Sequence, residues 1–134
     1  MIKRIGLLVV VFAFVLVCKP GASYAQSIKK GMIKVTILYP TGEGKTFNMD
    51  YYKTKHIPLI VSLFGGAMKA TTIEKGIGGR APGDPAPYVA SCSLYFESVG
   101  AFQDGMKTHA KQIREDIPNY TNITPIVQIS EVVE

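Results

Sequence analysis

The sequence predicts an α+β fold in which four strands and two helices follow one another in the order βαββαβ. Four short segments are predicted strands, and residues 32–39 and 88–96 among them alternate with the period of two that is typical of half-buried strands. Two longer segments repeat apolar residues at the spacing of a helix. The economical arrangement is one four-stranded antiparallel sheet with both helices on one face, which is the ferredoxin-like fold.

The first strand and the first helix are predicted from local patterns. Residues 32–39 alternate, with apolar or aromatic side chains at every second position from Ile33 to Tyr39. Asn48 is a typical N-cap for a helix that begins at Met49. Pro58 lies inside the helical pattern and lacks a backbone N–H, so we expect a kink or a restart there. The pair Gly65-Gly66 should end the helix.

The second half of the chain predicts two strands, a helix and a last strand. Residues 69–76 form the weaker strand, and residues 88–96 alternate most clearly. Between them, residues 76–87 contain four glycines and three prolines, which predicts an irregular surface loop. Ser98 can cap the second helix, and residues 123–133 form the predicted last strand.

The first 25 residues have the layout of a secretory signal peptide. A basic start precedes an apolar run at residues 5–18, and Ser23-Tyr24-Ala25 places small residues at both cleavage-determining positions. The apolar run is shorter than the roughly 20 residues of a membrane-spanning helix. We therefore predict cleavage after Ala25 and a periplasmic or secreted protein. A lipoprotein cut at Cys18 and a retained membrane anchor are the alternatives.

The mature chain is predicted to be one domain at residues 26–134. The signal segment holds three of the fifteen basic residues and none of the ten acidic ones, so its removal lowers the net charge from +5 to +2. This balance, without clustered basic residues, gives no case for binding nucleic acid. Cys92 is the single cysteine that remains, which excludes an intramolecular disulfide.

The predicted sheet has one face that no helix of the chain covers. We expect that face to carry valine, isoleucine, tyrosine and serine rather than charge. A second subunit is the natural partner for such a surface, so the pattern predicts a homodimer with the sheets face to face.

Four segments of the sequence resemble the ethyl tert-butyl ether degradation (EthD) family, and the resemblance covers nearly all of residues 32–134. The segments are Ile33-Lys34-Val35-Thr36-Ile37-Leu38-Tyr39-Pro40, Asp50-Tyr51-Tyr52 through His56-Ile57-Pro58, Ala86-Pro87-Tyr88-Val89-Ala90 and Asp116-Ile117-Pro118-Asn119-Tyr120-Thr121. The resemblance implies a dimeric α+β barrel. Family members are often called reductases or oxidoreductases, and the founding member accompanies a cytochrome P450 system. Some fungal relatives resemble cofactor-free dehydratases or decarboxylases of aromatic polyketides.

The predicted site centres on His56, an imidazole that can take or give a proton near neutral pH. Tyr52 shares its helix face, because residues four apart meet on one side of a helix. Either Tyr51 or Tyr52 could donate a hydrogen bond to a substrate carbonyl or enolate, so both are predicted to be catalytic together with His56. The predicted substrate-binding residues are Asp50, Tyr88, Tyr95, His109 and Tyr120. The structural alternatives are packing for His56 and His109, helix capping for Asp50 and a turn for Tyr120.

Sequence motifs for cofactors are absent from the chain. No glycine-rich dinucleotide fingerprint follows a strand, and no paired histidines occur at metal-ligand spacing. A metal site from His56, His109 and either Asp50 or Asp104 is a minor alternative, and Cys92 falls among apolar positions where a thiol is inert. Flavin or haem could bind this architecture without a short motif, so the sequence does not identify a cofactor.

Three functions are compatible with the sequence. The family resemblance implies an oxidoreductase-associated enzyme that acts on a small apolar or aromatic compound in a cavity within the monomer. A cofactor-independent dehydratase or isomerase using His56 is the second reading. The third is a protein that only binds a small ligand.

Overall fold

The computed structural model describes residues 27–134, so the predicted signal peptide lies outside the described residues. The four strands are β1 (Ile33–Pro40), β2 (Met68–Lys75), β3 (Tyr88–Phe96) and β4 (Ile126–Glu131). The first helical region comprises α1 (Met49–Tyr51), a π-helical turn (Tyr52–His56), α2 (Ile57–Phe64) and a 3₁₀ turn (Gly65–Ala67). The long helix α3 (Val99–Asp116) continues into a second 3₁₀ turn (Ile117–Asn119).

The strands form one antiparallel sheet in the order β2-β3-β1-β4. This order confirms the predicted ferredoxin-like βαββαβ fold, which is the subunit of the dimeric α+β barrel. The central strand β1 pairs with β3 and β4, neither of which directly follows it in sequence, and β3 lies between β1 and β2.

The core lies between one face of the sheet and the helices. Val35, Cys92 and Phe96 from the sheet are almost fully buried, and Phe64 from α2 packs its ring against that of Phe96 at a centroid distance of 5.2 Å. Cys92 is a free thiol in this core, as its alternating position predicted. The helices leave edge strand β4 partly uncovered. Val127, on the helix side of that strand, is 53% exposed.

Local signals at the helix ends are confirmed. The Asn48 side chain accepts a hydrogen bond from the backbone N–H of Tyr51, and that of Ser98 accepts one from the N–H of Ala101. Gly65 ends α2 with φ of +51°, a conformation that favours glycine.

The last strand is shorter than predicted. Residues 123–125 do not join the sheet, and β4 spans only Ile126–Glu131. Thr121 instead forms an isolated bridge with Phe47, and the backbone N–H of Asn48 donates to the carbonyl of Tyr120. These contacts hold Tyr120 and Thr121 against the loop that precedes α1. The residues that follow therefore reach the edge of the sheet only at Ile126.

The helix-free face of the sheet is more polar than predicted. The strand register and the alternation of side chains place two charged residues on it, Lys34 and Glu74, which corrects the expectation of an uncharged surface. Other members of this face are Thr36, Leu38, Ser91, Ser93, Tyr95, Ile126 and Gln128. Within residues 27–134, no helix is long and apolar enough to cross a membrane.

Candidate active site

The π-helical turn at Tyr52–His56 positions the central histidine. It ends at His56, two residues before Pro58, which cannot donate a backbone hydrogen bond, so the irregularity predicted near Pro58 takes the form of a π-helical turn. The rings of Tyr52 and His56 stack at a centroid distance of 5.5 Å and an interplanar angle of 20°. Both side chains are buried, so the turn brings an imidazole into the interior of the protein.

The carboxylate of Asp116, at the end of α3, is the centre of a polar cluster. Its Oδ1 accepts hydrogen bonds from the Tyr51 hydroxyl at 2.8 Å and from the Asn119 amide at 2.9 Å. Its Oδ2 lies 2.8 Å from Nδ1 of His56. Because an ionised carboxylate can only accept hydrogen bonds, Nδ1 carries a proton and donates a hydrogen bond to Asp116.

The opposite ring nitrogen of His56 faces two tyrosines. The Tyr120 hydroxyl lies 3.2 Å from Nε2, and the hydroxyls of Tyr120 and Tyr39 are 2.9 Å apart. With the proton on Nδ1, neutral His56 accepts a hydrogen bond from Tyr120 through the Nε2 lone pair. The four side chains therefore form a continuous chain from Asp116 through His56 and Tyr120 to Tyr39.

The environment of these groups sets their charges. Burial lowers the pKa of His56 below its ordinary value, and the attraction of Asp116 for the imidazolium offsets this only in part. Burial alone would raise the pKa of Asp116, but the hydrogen bonds from Asn119, His56 and Tyr51 outweigh it and lower that pKa. At neutral pH the site therefore holds a neutral imidazole beside an ionised carboxylate.

The tyrosines of the site are held as phenols. Burial raises the pKa of Tyr120 far above its ordinary value, and it raises the pKa of Tyr39 and Tyr52 in the same direction. These hydroxyls can donate hydrogen bonds, but they do not supply a phenolate at neutral pH. Compared with these phenols, the neutral imidazole of His56 is thus the group that can accept a proton near neutral pH.

A cavity of about 200 Å³ lies between the sheet and the helices, beside this chain of polar groups. His56, Tyr39, Tyr52 and Tyr120, all of them buried, form the polar part of its lining. The remaining lining is almost entirely apolar and comes from the facing strands and helices: Val35, Ile37, Ile57, Ile60, Phe64, Leu94, Phe102, Met106, Ile113, Ile117, Pro125 and Val127, with Arg114 as the charged exception. A cavity of about 150 Å³ accommodates benzene, so this one has room for a single small ring.

The three predicted catalytic residues lie close together, but only two of them line the cavity. His56 and Tyr52 line the cavity, as does Tyr120, which was predicted to bind substrate. Tyr51 lies on the outer side of the cluster, where its hydroxyl donates to Asp116. The hydroxyl proton of Tyr51 is thus engaged with the carboxylate, and its place suits the orientation of Asp116 rather than contact with substrate.

Four of the predicted substrate-binding residues are not in the cavity lining. Asp50 is exposed and forms an ion pair with Lys53 at 2.9 Å. Tyr95 lies on the helix-free face of β3, because alternation points it away from Leu94. Tyr88 lies at the start of β3, in a depression beside the irregular loop, and His109 is half-buried on α3.

The main residue that the sequence reading missed is Asp116. It lies, together with Asn119, in one of the four segments that resemble the family. An acidic residue at the C-terminus of a helix opposes the helix dipole, and that unfavourable placement was the available signal. In the part of the chain that the structure describes, no three histidine, cysteine or acidic residues are grouped so that they could hold a metal ion.

Comparison with known proteins identifies the family. Residues 42–124 match the family described as EthD domain. The structure is similar to the crystal structure of an EthD-like protein from Ralstonia eutropha JMP134, with 42% sequence identity and a TM-score of 0.75 over 79% of this chain and 96% of that chain. The chain therefore belongs to the EthD family.

A more distant structure shares the fold alone. It is an EthD family protein from Bacillus halodurans C-125, which is 18% identical with a TM-score of 0.52 over 75% of this chain and 97% of that chain. Among curated proteins, none matches the chain.

Proposed function

We propose that this EthD-family protein is a proton-transfer enzyme, an isomerase or lyase, that acts on a small, largely apolar compound carrying a carbonyl or phenol group. The observation that carries the proposal is the hydrogen-bonded Asp116–His56–Tyr120 arrangement, in which the buried His56 and Tyr120 line the cavity. A neutral histidine with one nitrogen held by a carboxylate is suited to general base catalysis at the other nitrogen.

The reaction would begin when a substrate displaces the hydrogen bond between Tyr120 and His56. Nε2 then removes a proton from a carbon next to the substrate carbonyl, and the imidazolium that forms is stabilised by Asp116. The electron pair of the broken C–H bond moves toward the carbonyl oxygen, which accepts a hydrogen bond from the freed Tyr120 hydroxyl. Return of the proton at another atom gives isomerisation, and loss of a leaving group gives elimination.

Hydrogen–deuterium exchange tests the proposal without knowledge of the final product. Native mass spectrometry would first identify the small molecule that co-purifies with the protein. Proton NMR in D₂O would then follow the loss of its exchangeable C–H signal. His56→Gln should slow the exchange by about 10²–10⁴-fold, and His109→Gln should retain the wild-type rate, because His109 lies outside the cavity lining. Equal rates for wild type and His56→Gln would refute the acid–base role.

The oxidoreductase function implied by the family predicts a different visible absorbance for the purified protein. An enzyme of that class needs a redox group, and bound flavin or haem would absorb visible light. Proton transfer by His56 needs no such group, so the proposal predicts a colourless protein that is active without added cofactor. A stoichiometric visible chromophore on the purified protein would favour the oxidoreductase reading.

We further propose that the protein is exported. The support is the signal-peptide layout of residues 1–25, which lies outside the described residues. Mass analysis of exported material should give Gln26 as its first residue. A retained Met1 or a lipid on Cys18 would contradict this.

A further inference from the structure

The mouth of the cavity carries a single charged side chain, Arg114. This residue is exposed to solvent and still lines the cavity, so it marks the opening. Val127 from β4 is half-exposed and also lines the cavity, as do the partly buried Ile117 and Pro125. The lining thus combines a buried group of polar side chains, a largely apolar wall and one exposed cation.

Arg114 has no ion-pair partner among residues 27–134, although acidic residues follow it closely on α3. Glu115 lies 3.8 Å from Lys111, and Asp116 binds His56. The guanidinium therefore remains available, and its planar donors match the geometry of a carboxylate.

From this arrangement we infer that Arg114 selects substrates bearing a carboxylate, which sits at the cavity mouth while the reacting part of the molecule reaches His56. The volume of about 200 Å³ limits the compound to about one small ring or an equivalent chain. The inference rests on the proposed function, because it takes this cavity as the substrate site. It adds the class of substrate, which is a small monocarboxylate with an apolar body.

Binding of two probes of equal shape tests the inference. Benzoate and benzamide differ in charge and hardly in size, and titration calorimetry would give their dissociation constants at low ionic strength. Wild type should bind benzoate at least about threefold more tightly, the scale of a part-exposed ion pair, and the preference should shrink as salt is added. Methyl NMR shifts of Ile117 and Val127 would report whether the probe lies in the mouth.

Variants on α3 separate the possible explanations. Arg114→Gln should remove the preference for benzoate, Arg114→Lys should keep part of it, and Lys111→Gln should leave it as in wild type, because Lys111 does not line the cavity. The inference is overturned if wild type shows no preference or binds neither probe, or if Arg114→Gln retains the preference. His56→Gln should retain the preference while losing exchange activity, so failure of proton transfer and failure of carboxylate selection give different results.

Discussion

At the scale of single residues, the site depends on the pairing of His56 with Asp116. The sequence pointed to His56 because a histidine and a tyrosine four residues apart share a helix face. It did not point to Asp116, since the contact joins residues 60 positions apart and arises only when α3 packs beside the π-helical turn. Local patterns can place a side chain on an element, but they cannot identify its partner from another one.

Replacing Asp116 with asparagine tests this pairing. Asp116→Asn removes the negative charge that orients and stabilises the imidazolium, so catalysed exchange should fall by about 10²–10⁴-fold. Loss of the carboxylate should also lower the pKa of His56 further, moving the acidic limb of the pH–rate profile to lower pH. Asp104→Asn, on an exposed face of the same helix, should leave both quantities unchanged. An unmoved profile in Asp116→Asn would mean that the carboxylate is only structural.

The pH dependence of stability should also report on His56. Its pKa is lowered in the folded protein, so the unfolded chain binds more protons once the pH falls below about 6.5, and the free energy of unfolding decreases. The Asp116 contribution has the same sign but begins at lower pH, because an unperturbed aspartate titrates near 3.9. The melting temperature should therefore fall between pH 7 and 5 in wild type and in His109→Gln, and fall less in His56→Gln. Parallel curves for all three would show that His56 titrates normally.

At the scale of elements, the sequence predicted best where the determinant is local. Asn48, Ser98 and Gly65 end or begin helices as expected, because capping depends on neighbouring backbone groups. The start of β4 was predicted too early. The alternation there continued back to Ile123, but the bridge between Phe47 and Thr121, which is distant in sequence, holds that segment away from the sheet.

The end of α2 provides a matched pair of glycines for a stability test. Gly65 has φ of +51°, whereas Gly66 has an ordinary φ, and a Cβ at either position would meet nothing within 4 Å. Gly65→Ala should therefore lower the free energy of unfolding by about 1–2 kcal/mol through backbone strain alone. Gly66→Ala should have a clearly smaller effect. Urea denaturation measures both, and equal losses would exclude strain at Gly65 as the cause.

At the scale of the whole molecule, the fold followed from the order of elements. The apolar periodicities define βαββαβ, and few arrangements bury two amphipathic helices against four half-buried strands. The cavity could not be predicted in this way. Its volume depends on how Phe64, Phe102 and Met106 pack against the sheet. Sequence periodicity predicts which face of a helix or strand a residue lies on, but it does not predict the distance between a helix and the sheet.

We propose a homodimer in which the helix-free faces of two sheets pack together. Sedimentation at micromolar concentration should give about twice the monomer mass. Thr36 lies on this face opposite Ser93 and Gln128, so Thr36→Arg should place like charges in the interface and produce a folded monomer. Gln112→Arg, on the exposed side of α3, should remain dimeric. A wild-type monomer, or a Thr36→Arg dimer, would contradict this mode of association.

The central claim is that His56 is neutral at physiological pH, with the proton on Nδ1 and the Nε2 lone pair directed to Tyr120 and the cavity. Nitrogen-15 NMR of histidine-labelled protein measures this directly, because the shifts of both ring nitrogens distinguish the two tautomers and the imidazolium. The account predicts the Nδ1–H tautomer for His56 at pH 7 and its protonation only at a pH below that of an ordinary histidine. An imidazolium at pH 7, or a proton on Nε2, would contradict the assignment of His56 as the general base.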